Sequence, residues 1–120
     1  MATRAIRGAI QVDADTRDDI HVGAAEMVRV LIERNGLTTD DFISIVFTAT
    51  PDLSADFPAY AARLMGLTDV PLLCATEIPV PGAMPRVLRL LAHVETDRPR
   101  SAIHHVYLRG AAALRTDLPQ

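Results

Sequence analysis

Apolar residues recur along the first part of the chain at two different periods. From Thr3 to Val12 (TRAIRGAIQV), Ile6, Gly8, Ile10 and Val12 fall on one face and Ala5, Arg7, Ala9 and Gln11 on the other, a period of two that predicts a strand. Beyond it the spacing lengthens. Ile20, Ala24, Met27, Leu31 and Ile32 follow at near-helical intervals, Asp15 or Thr16 can cap their start, and Asp18 and Asp19 suit the positive end of a helix dipole. Asn35-Gly36 supplies a left-handed stop, so the segment predicts one long amphipathic helix.

Further along, Phe42 to Ala49 (FISIVFTA) is a β-branched and aromatic run without strong polar alternation, as expected of an interior strand ending in the turn Thr50-Pro51-Asp52. A shorter helix is expected from about Phe57-Pro58 to Gly66, capped by Asp56. Val70 to Glu77 predicts a third strand, begun at Pro71. After the turn-rich PVPGAMP, Arg86 to Glu95 fits helix or strand by periodicity; the alternation of Leu88, Leu90, Ala92 and Val94 with Arg89, Leu91 and His93 favours a strand. Ile103 to Leu108 reads as a fifth strand, followed by a weakly ordered tail from about residue 115. The expectation is one domain over residues 1–120, of α/β (α+β) class: a mixed five-stranded sheet packed by one long and one short helix.

Composition narrows the choice. A chain of 120 residues buries only about two-thirds of the surface its unfolded form exposes, so it can fold alone but gains from assembly. Aromatics are 4% against 49% hydrophobic residues, which leaves a core of Ala, Val, Leu and Ile. The net charge of −3 with interspersed signs offers no continuous positive surface, so nucleic acid is not an expected partner. Cys74 is the single cysteine, and no apolar stretch near Met1 matches a signal core or membrane span, so the cytoplasm is the expected compartment.

Several chemistries lack their signatures. The sequence has no Gly-rich phosphate loop, no G-x-S-x-G elbow and no histidine pair at helical ligand spacing. His104 and His105 are adjacent and on a strand would face opposite ways; Cys74, in an apolar strand, suits a pocket wall better than a nucleophile. All twelve basic residues are arginine. Arg7 in AIRGAI and Arg89 in VLRLL stand in apolar strands, with Arg63 on the second helix and Arg115 after AAAL. A guanidinium in such surroundings requires an anionic partner, either a carboxylate of the protein or a small carboxylate-bearing ligand. Glu77, at the end of the third strand, is the acidic residue best placed to share such a pocket.

Six blocks in order carry a resemblance: IRGA (Ile6 to Ala9), TATPDL (Thr48 to Leu53), FPA (Phe57 to Ala59) followed by Arg63, VP-x-x-C-x-x-E (Val70 to Glu77), Arg89, and HVYL (His105 to Leu108) with LR-x-DL from Leu114. The chain resembles, over nearly its whole length, the monofunctional chorismate mutases of the trimeric α/β-barrel type. The resemblance implies a homotrimer with a barrel-like core, active sites between subunits, chorismate as substrate, and no metal or cofactor. It also implies that Arg7, Arg89, Tyr107, Glu77, Cys74 and the backbone from Leu73 through Ala75 to Thr76 contact the substrate. Phe57 and Arg63 would come from a neighbouring chain, with Leu114 and Arg115 closing the site. One position departs: the family often carries a lysine where Tyr60 stands.

The implied rearrangement breaks a C–O bond while making a C–C bond, without proton transfer, so it needs no acid, base or nucleophile. Arg89 is then expected at the ether oxygen, Glu77 near the ring and its hydroxyl, and Arg7 with Tyr107 on the side-chain carboxylate. Two alternatives compete: an imine or enamine deaminase of a similarly shaped trimeric family, and a non-catalytic trimeric carboxylate-binding module.

Overall fold

The alternating first segment forms β1 (Ala2–Gln11) in the computed structural model, which describes residues 1–114. It is followed by α1 (Arg17–Asn35), β2 (Phe42–Ala49), α2 (Ala59–Leu64), β3 (Leu72–Thr76), β4 (Val87–Thr96) and β5 (Val106–Leu108). Short 3-10 turns occupy Thr39–Asp41, Arg100–Ala102 and Arg109–Leu114. The sheet order is β3-β2-β4-β1-β5. β4 runs antiparallel to both β1 and β2, while the edge pairs β2/β3 and β1/β5 are parallel, so the sheet is mixed as expected.

Thr16 is the residue that caps α1, its Oγ1 accepting from the Asp19 amide at 3.1 Å. Asp15 is used elsewhere, as an acceptor for the amides of Ser54 and Ala55. At the far end Gly36 adopts φ 60°, and the Leu37 amide donates back to the Ile32 carbonyl at 3.0 Å, closing the helix as Asn-Gly predicts. Ile20, Ala24, Met27 and Leu31 are buried against one face of the sheet. That face presents Ile6 and Ile10 from β1, Ile45 and Phe47 from β2, and Leu88, Leu90, Ala92 and Val94 from β4. At Gly23 the helix approaches β1 so closely that a Cβ would lie 2.5 Å from Val12 Cγ1.

α2 and β3 are both shorter than expected, and three further departures each have a local reason. β5 begins at Val106 instead of Ile103 because the buried Asn35 side chain holds the preceding backbone: its Oδ1 accepts from the His104 amide and its Nδ2 donates to the His104 carbonyl. His104 and His105 therefore lie off the strand. Asp56 does not cap α2; its Oδ1 accepts from the next amide, Phe57, and its Oδ2 faces His21 and Arg17. The Arg109–Leu114 turn was not anticipated; it packs on β1, and Arg109 pairs with Glu26 of α1 at 3.0 Å. The expected loose tail from about residue 115 lies outside the described residues.

β2 carries a bulge near its start. The pairing with β4 shifts between Phe42, opposite Val94, and Ser44, opposite His93, leaving Ile43 as the extra residue.

Candidate active site

Both helices pack on one sheet face, and four of the candidate residues, Arg7, Glu77, Arg89 and Tyr107, gather on the other. Antiparallel pairing puts directly opposed residues on the same side, so Thr48 opposite Arg89 and Ala9 opposite Arg89 share this open face. Ala9 also pairs with Tyr107 on β5, and Arg7 lies one pleat along β1 from Ala9. The register therefore brings Arg7, Arg89 and Tyr107 from three neighbouring strands to one cavity of about 390 Å³, with Thr48, Val46 and Leu91 also in its walls.

Glu77 reaches this face from the sheet edge. Its amide donates to the Ala49 carbonyl at 2.9 Å, extending the β2/β3 pairing one residue past Thr76. Its carboxylate spans β2: Oε2 accepts from Thr48 Oγ1 at 2.7 Å, and Arg89 Nε lies 3.1 Å from Oε2 and 3.2 Å from Oε1. The Glu77 side chain is 18% exposed and that of Arg89 41%, so the pair is partly shielded and its charge-assisted bonds hold both groups in fixed orientation. The terminal nitrogens of Arg89 make no hydrogen bond among the described residues and remain able to meet a ligand. Arg89 also borders an adjacent hollow of about 290 Å³ lined by Glu77, so it is common to the space before Arg7 and the space before Glu77.

A turn built from TATPDL fixes where β4 begins. Val87 N donates to Thr50 Oγ1 at 3.1 Å, and the Arg86 amide donates to Asp52 Oδ2 at 2.9 Å while Arg86 adopts φ 55°. Burial raises the Asp52 pKa, but the Thr50 hydroxyl, the Asp52 and Arg86 amides and the Arg86 charge outweigh it, and the carboxyl ends below the ordinary 3.8. Two residues after Val87 on β4 stands Arg89.

The remaining sequence-predicted residues lie apart from this cluster within one chain. Cys74, Ala75 and Thr76 line a separate hollow of about 420 Å³, together with Phe57 of the same chain. Cys74 packs toward the helix-side core, and Leu73, on the opposite side of β3, is 64% exposed. Phe57 is 66% exposed, and Arg63, exposed on α2, borders none of these hollows. Leu114 packs against the cluster of Ala9, Val87, Tyr107 and Ala111, behind the tyrosine. Arg115 lies outside the described residues.

Sequence reasoning missed two contributors. Thr48 was legible only as part of a block, because nothing in one sequence says which carboxylate its hydroxyl will meet. His105 was legible only as one of two adjacent histidines; its Nδ1 accepts from the Arg7 amide at 3.0 Å and steadies the backbone beneath that guanidinium. Among the described residues no three His, Cys, Asp or Glu side chains are gathered as a metal site would require.

Comparison with known proteins agrees with the resemblance noted from the sequence. Residues 3–118 match the family described as chorismate mutase type I. The chain is 48% identical over 116 residues to chorismate mutase AroH of Thermus thermophilus, spanning 96% of this chain and 95% of that protein. Its identity to chorismate mutase AroH of Bacillus subtilis (strain 168) is 40% over 119 residues, spanning 98% and 94%. The solved structure of a chorismate mutase from Clostridium thermocellum superposes with a TM-score of 0.90 at 47% identity, covering 92% of this chain and 98% of that one.

Proposed function

The chain belongs to the type I chorismate mutase family, and from that premise we propose how its own residues convert chorismate to prephenate. The reaction is an isomerisation in aromatic amino acid biosynthesis: the enolpyruvyl ether C–O bond breaks as a C–C bond forms within the same molecule. The observation that carries the residue assignment is the convergence of Arg7, Arg89 and Tyr107 on one open-face cavity with Glu77 fixed beside Arg89.

Chorismate is a dicarboxylate with a flexible side chain, and holding that chain over the ring lowers the barrier by restricting motion. Arg7 and Tyr107 grip the side-chain carboxylate, the guanidinium fork setting direction as well as charge. As the ether bond stretches, its oxygen becomes negative and the ring electron-poor. The terminal nitrogens of Arg89 stabilise the oxygen, and Glu77 accepts from the ring hydroxyl and offsets the positive side of the separation. Both charges pre-exist in fixed positions, so little reorganisation accompanies the bond changes.

One chain presents this cluster on a face that keeps apolar side chains open, Leu73 at 64% exposure and Leu91 at 38%. Uncovered apolar surface of this kind marks a contact face. We place two further copies against it, forming a trimer in which Phe57 and Arg63 of one chain complete the cleft of the next. Cys74, Ala75 and Thr76 line the wall next to Phe57, and Leu114 with Arg115 borders the closing side. A cytoplasmic setting, where Cys74 stays a free thiol, completes the reading.

The test is direct: purified protein is mixed with chorismate and the loss of its ultraviolet absorbance is followed alongside prephenate formation. Arg89→Gln should lower kcat by on the order of 100-fold or more, about 3 kcal/mol, with the fold intact by circular dichroism. Near-full activity in that variant would remove Arg89 from its assigned role. The family match and both relatives favour this activity over imine or enamine deamination and over a non-catalytic carboxylate-binding module.

A further inference from the structure

We propose that His21, Asp56 and Tyr60 form a positioning clamp that holds Phe57 in place as a wall of the substrate cleft, an inference that rests on the reading of Phe57 as part of that cleft.

Phe57 is an exposed ring on the connection between the Thr50 turn and α2. An aromatic wall on a loop positions a substrate only if the loop itself is held, because a displacement of an ångström is enough to spoil alignment. Two carboxylates tie this loop to the start of α1. Asp15 Oδ1 accepts from the amides of Ser54 at 2.9 Å and Ala55 at 3.0 Å, fixing the loop before the ring. Asp56 Oδ1 accepts from the Phe57 amide at 2.7 Å, while its Oδ2 lies 2.8 Å from His21 Nε2 and 3.1 Å from Arg17 Nε.

The clamp closes from the other side of Phe57. Tyr60, three residues on, stacks on the His21 ring with centroids 5.0 Å apart and planes 25° from parallel, and the Arg17 guanidinium lies 5.8 Å from the centre of the tyrosine ring. One histidine of α1 thus touches both the residue before Phe57 and the first turn of α2. The His21 and Asp56 side chains are 17% and 21% exposed, whereas Arg17 is 66% exposed, so water weakens the arginine contact more than the histidine one. The Phe57 amide, with His21 and Arg17, holds the Asp56 carboxyl below the ordinary carboxylate range; with Asp56 ionised, Nε2 supplies the hydrogen of the contact. Tyr60, in place of the lysine often found there, supplies this aromatic arm.

The chain has three phenylalanines, and Phe42 and Phe47 are buried in the core at 8% and 0% exposure. Protein labelled with 4-fluorophenylalanine therefore reports on Phe57 against two internal references. The full-length enzyme, its His21→Leu, His21→Gln, Asp56→Asn, Tyr60→Leu and Phe57→Ala variants are compared by fluorine NMR and by chorismate kinetics. The clamp predicts that His21→Leu raises KM roughly 3- to 10-fold with kcat changed less than about two-fold, and moves only the Phe57 resonance. His21→Gln, which keeps a side-chain donor for Asp56, should recover most of the loss; Tyr60→Leu tests the second arm independently of the Asp56 bond. A Phe57→Ala variant with raised KM, beside His21→Leu and Tyr60→Leu variants with parental KM and an unmoved Phe57 resonance, would overturn the clamp and leave the cleft standing. An unchanged KM in Phe57→Ala would overturn the cleft reading instead, and with it any part for the clamp in substrate binding.

Discussion

Thr48 makes the shortest side-chain contact in the charged cluster, and its hydroxyl is what keeps Glu77 turned toward Arg89. Thr48→Val preserves shape but leaves one Glu77 oxygen without that donor; a hydrogen bond to a charged group contributes about 1.5–3 kcal/mol. We expect kcat/KM for chorismate to fall roughly 10- to 100-fold and the midpoint of chemical denaturation to drop with it, as steady-state kinetics and denaturation curves would show. Activity at the parental level would mean that Arg89 alone orients the carboxylate. Arg7 and Arg89 were visible in the sequence because a guanidinium in an apolar strand is anomalous. Thr48 was not, since a threonine in a strand is ordinary until its cross-strand partners are known.

Elements position these side chains by packing closely. α1 is held near β1 by the absence of a side chain at Gly23, so Gly23→Ala pits a gain in helix propensity of about 1 kcal/mol against a clash with Val12. The clash should prevail, lowering stability by about 1–3 kcal/mol in urea unfolding; a stabilised variant would show that the helix can lift without penalty. The turn before β4 makes an acid-sensitive joint. Asp52 has a folded-state pKa below its unfolded one, so its contribution is present above about pH 4 and is lost as pH falls through the lower folded value. Asp52→Asn should therefore be less stable than the parent near pH 6, with the gap closing as the pH is lowered below about 4 in thermal melts; a gap independent of pH would point to lost packing instead. The alternation of β1, the caps of α1 and the apolar run of β2 were legible because each is a local preference. The late start of β5, the loss of Asp56 as a cap and the Arg109–Leu114 turn were not. All three depend on partners far away in sequence: Asn35 for His104, His21 for Asp56, and Glu26 for Arg109.

At the scale of the whole molecule, the open face is the feature that needs company. In the proposed trimer, a charge at Leu91, exposed on that face in the wall of the arginine cavity, should separate the chains while leaving each one folded. For Leu91→Glu we expect sedimentation velocity to shift from trimer toward monomer and activity to fall with it; an active monomer would show that one chain holds a complete site. In the proposed trimer, a cleft shared between chains would place Phe57 of one copy beside Arg7 of the next, although the two lie in different hollows of a single copy. The extra residue in β2 reaches further than its own strand. Phe42 and Thr48 are six positions apart, an even count that would put both on one side of a regular strand. Ile43 breaks the parity, letting the phenylalanine anchor the interior while the threonine serves the chemistry. Ironing the kink flat with Ile43 retained would confront the chain with a choice between a sound core and a working catalyst, whereas excising that single residue leaves five positions, an odd count that keeps both side chains on the faces they now occupy.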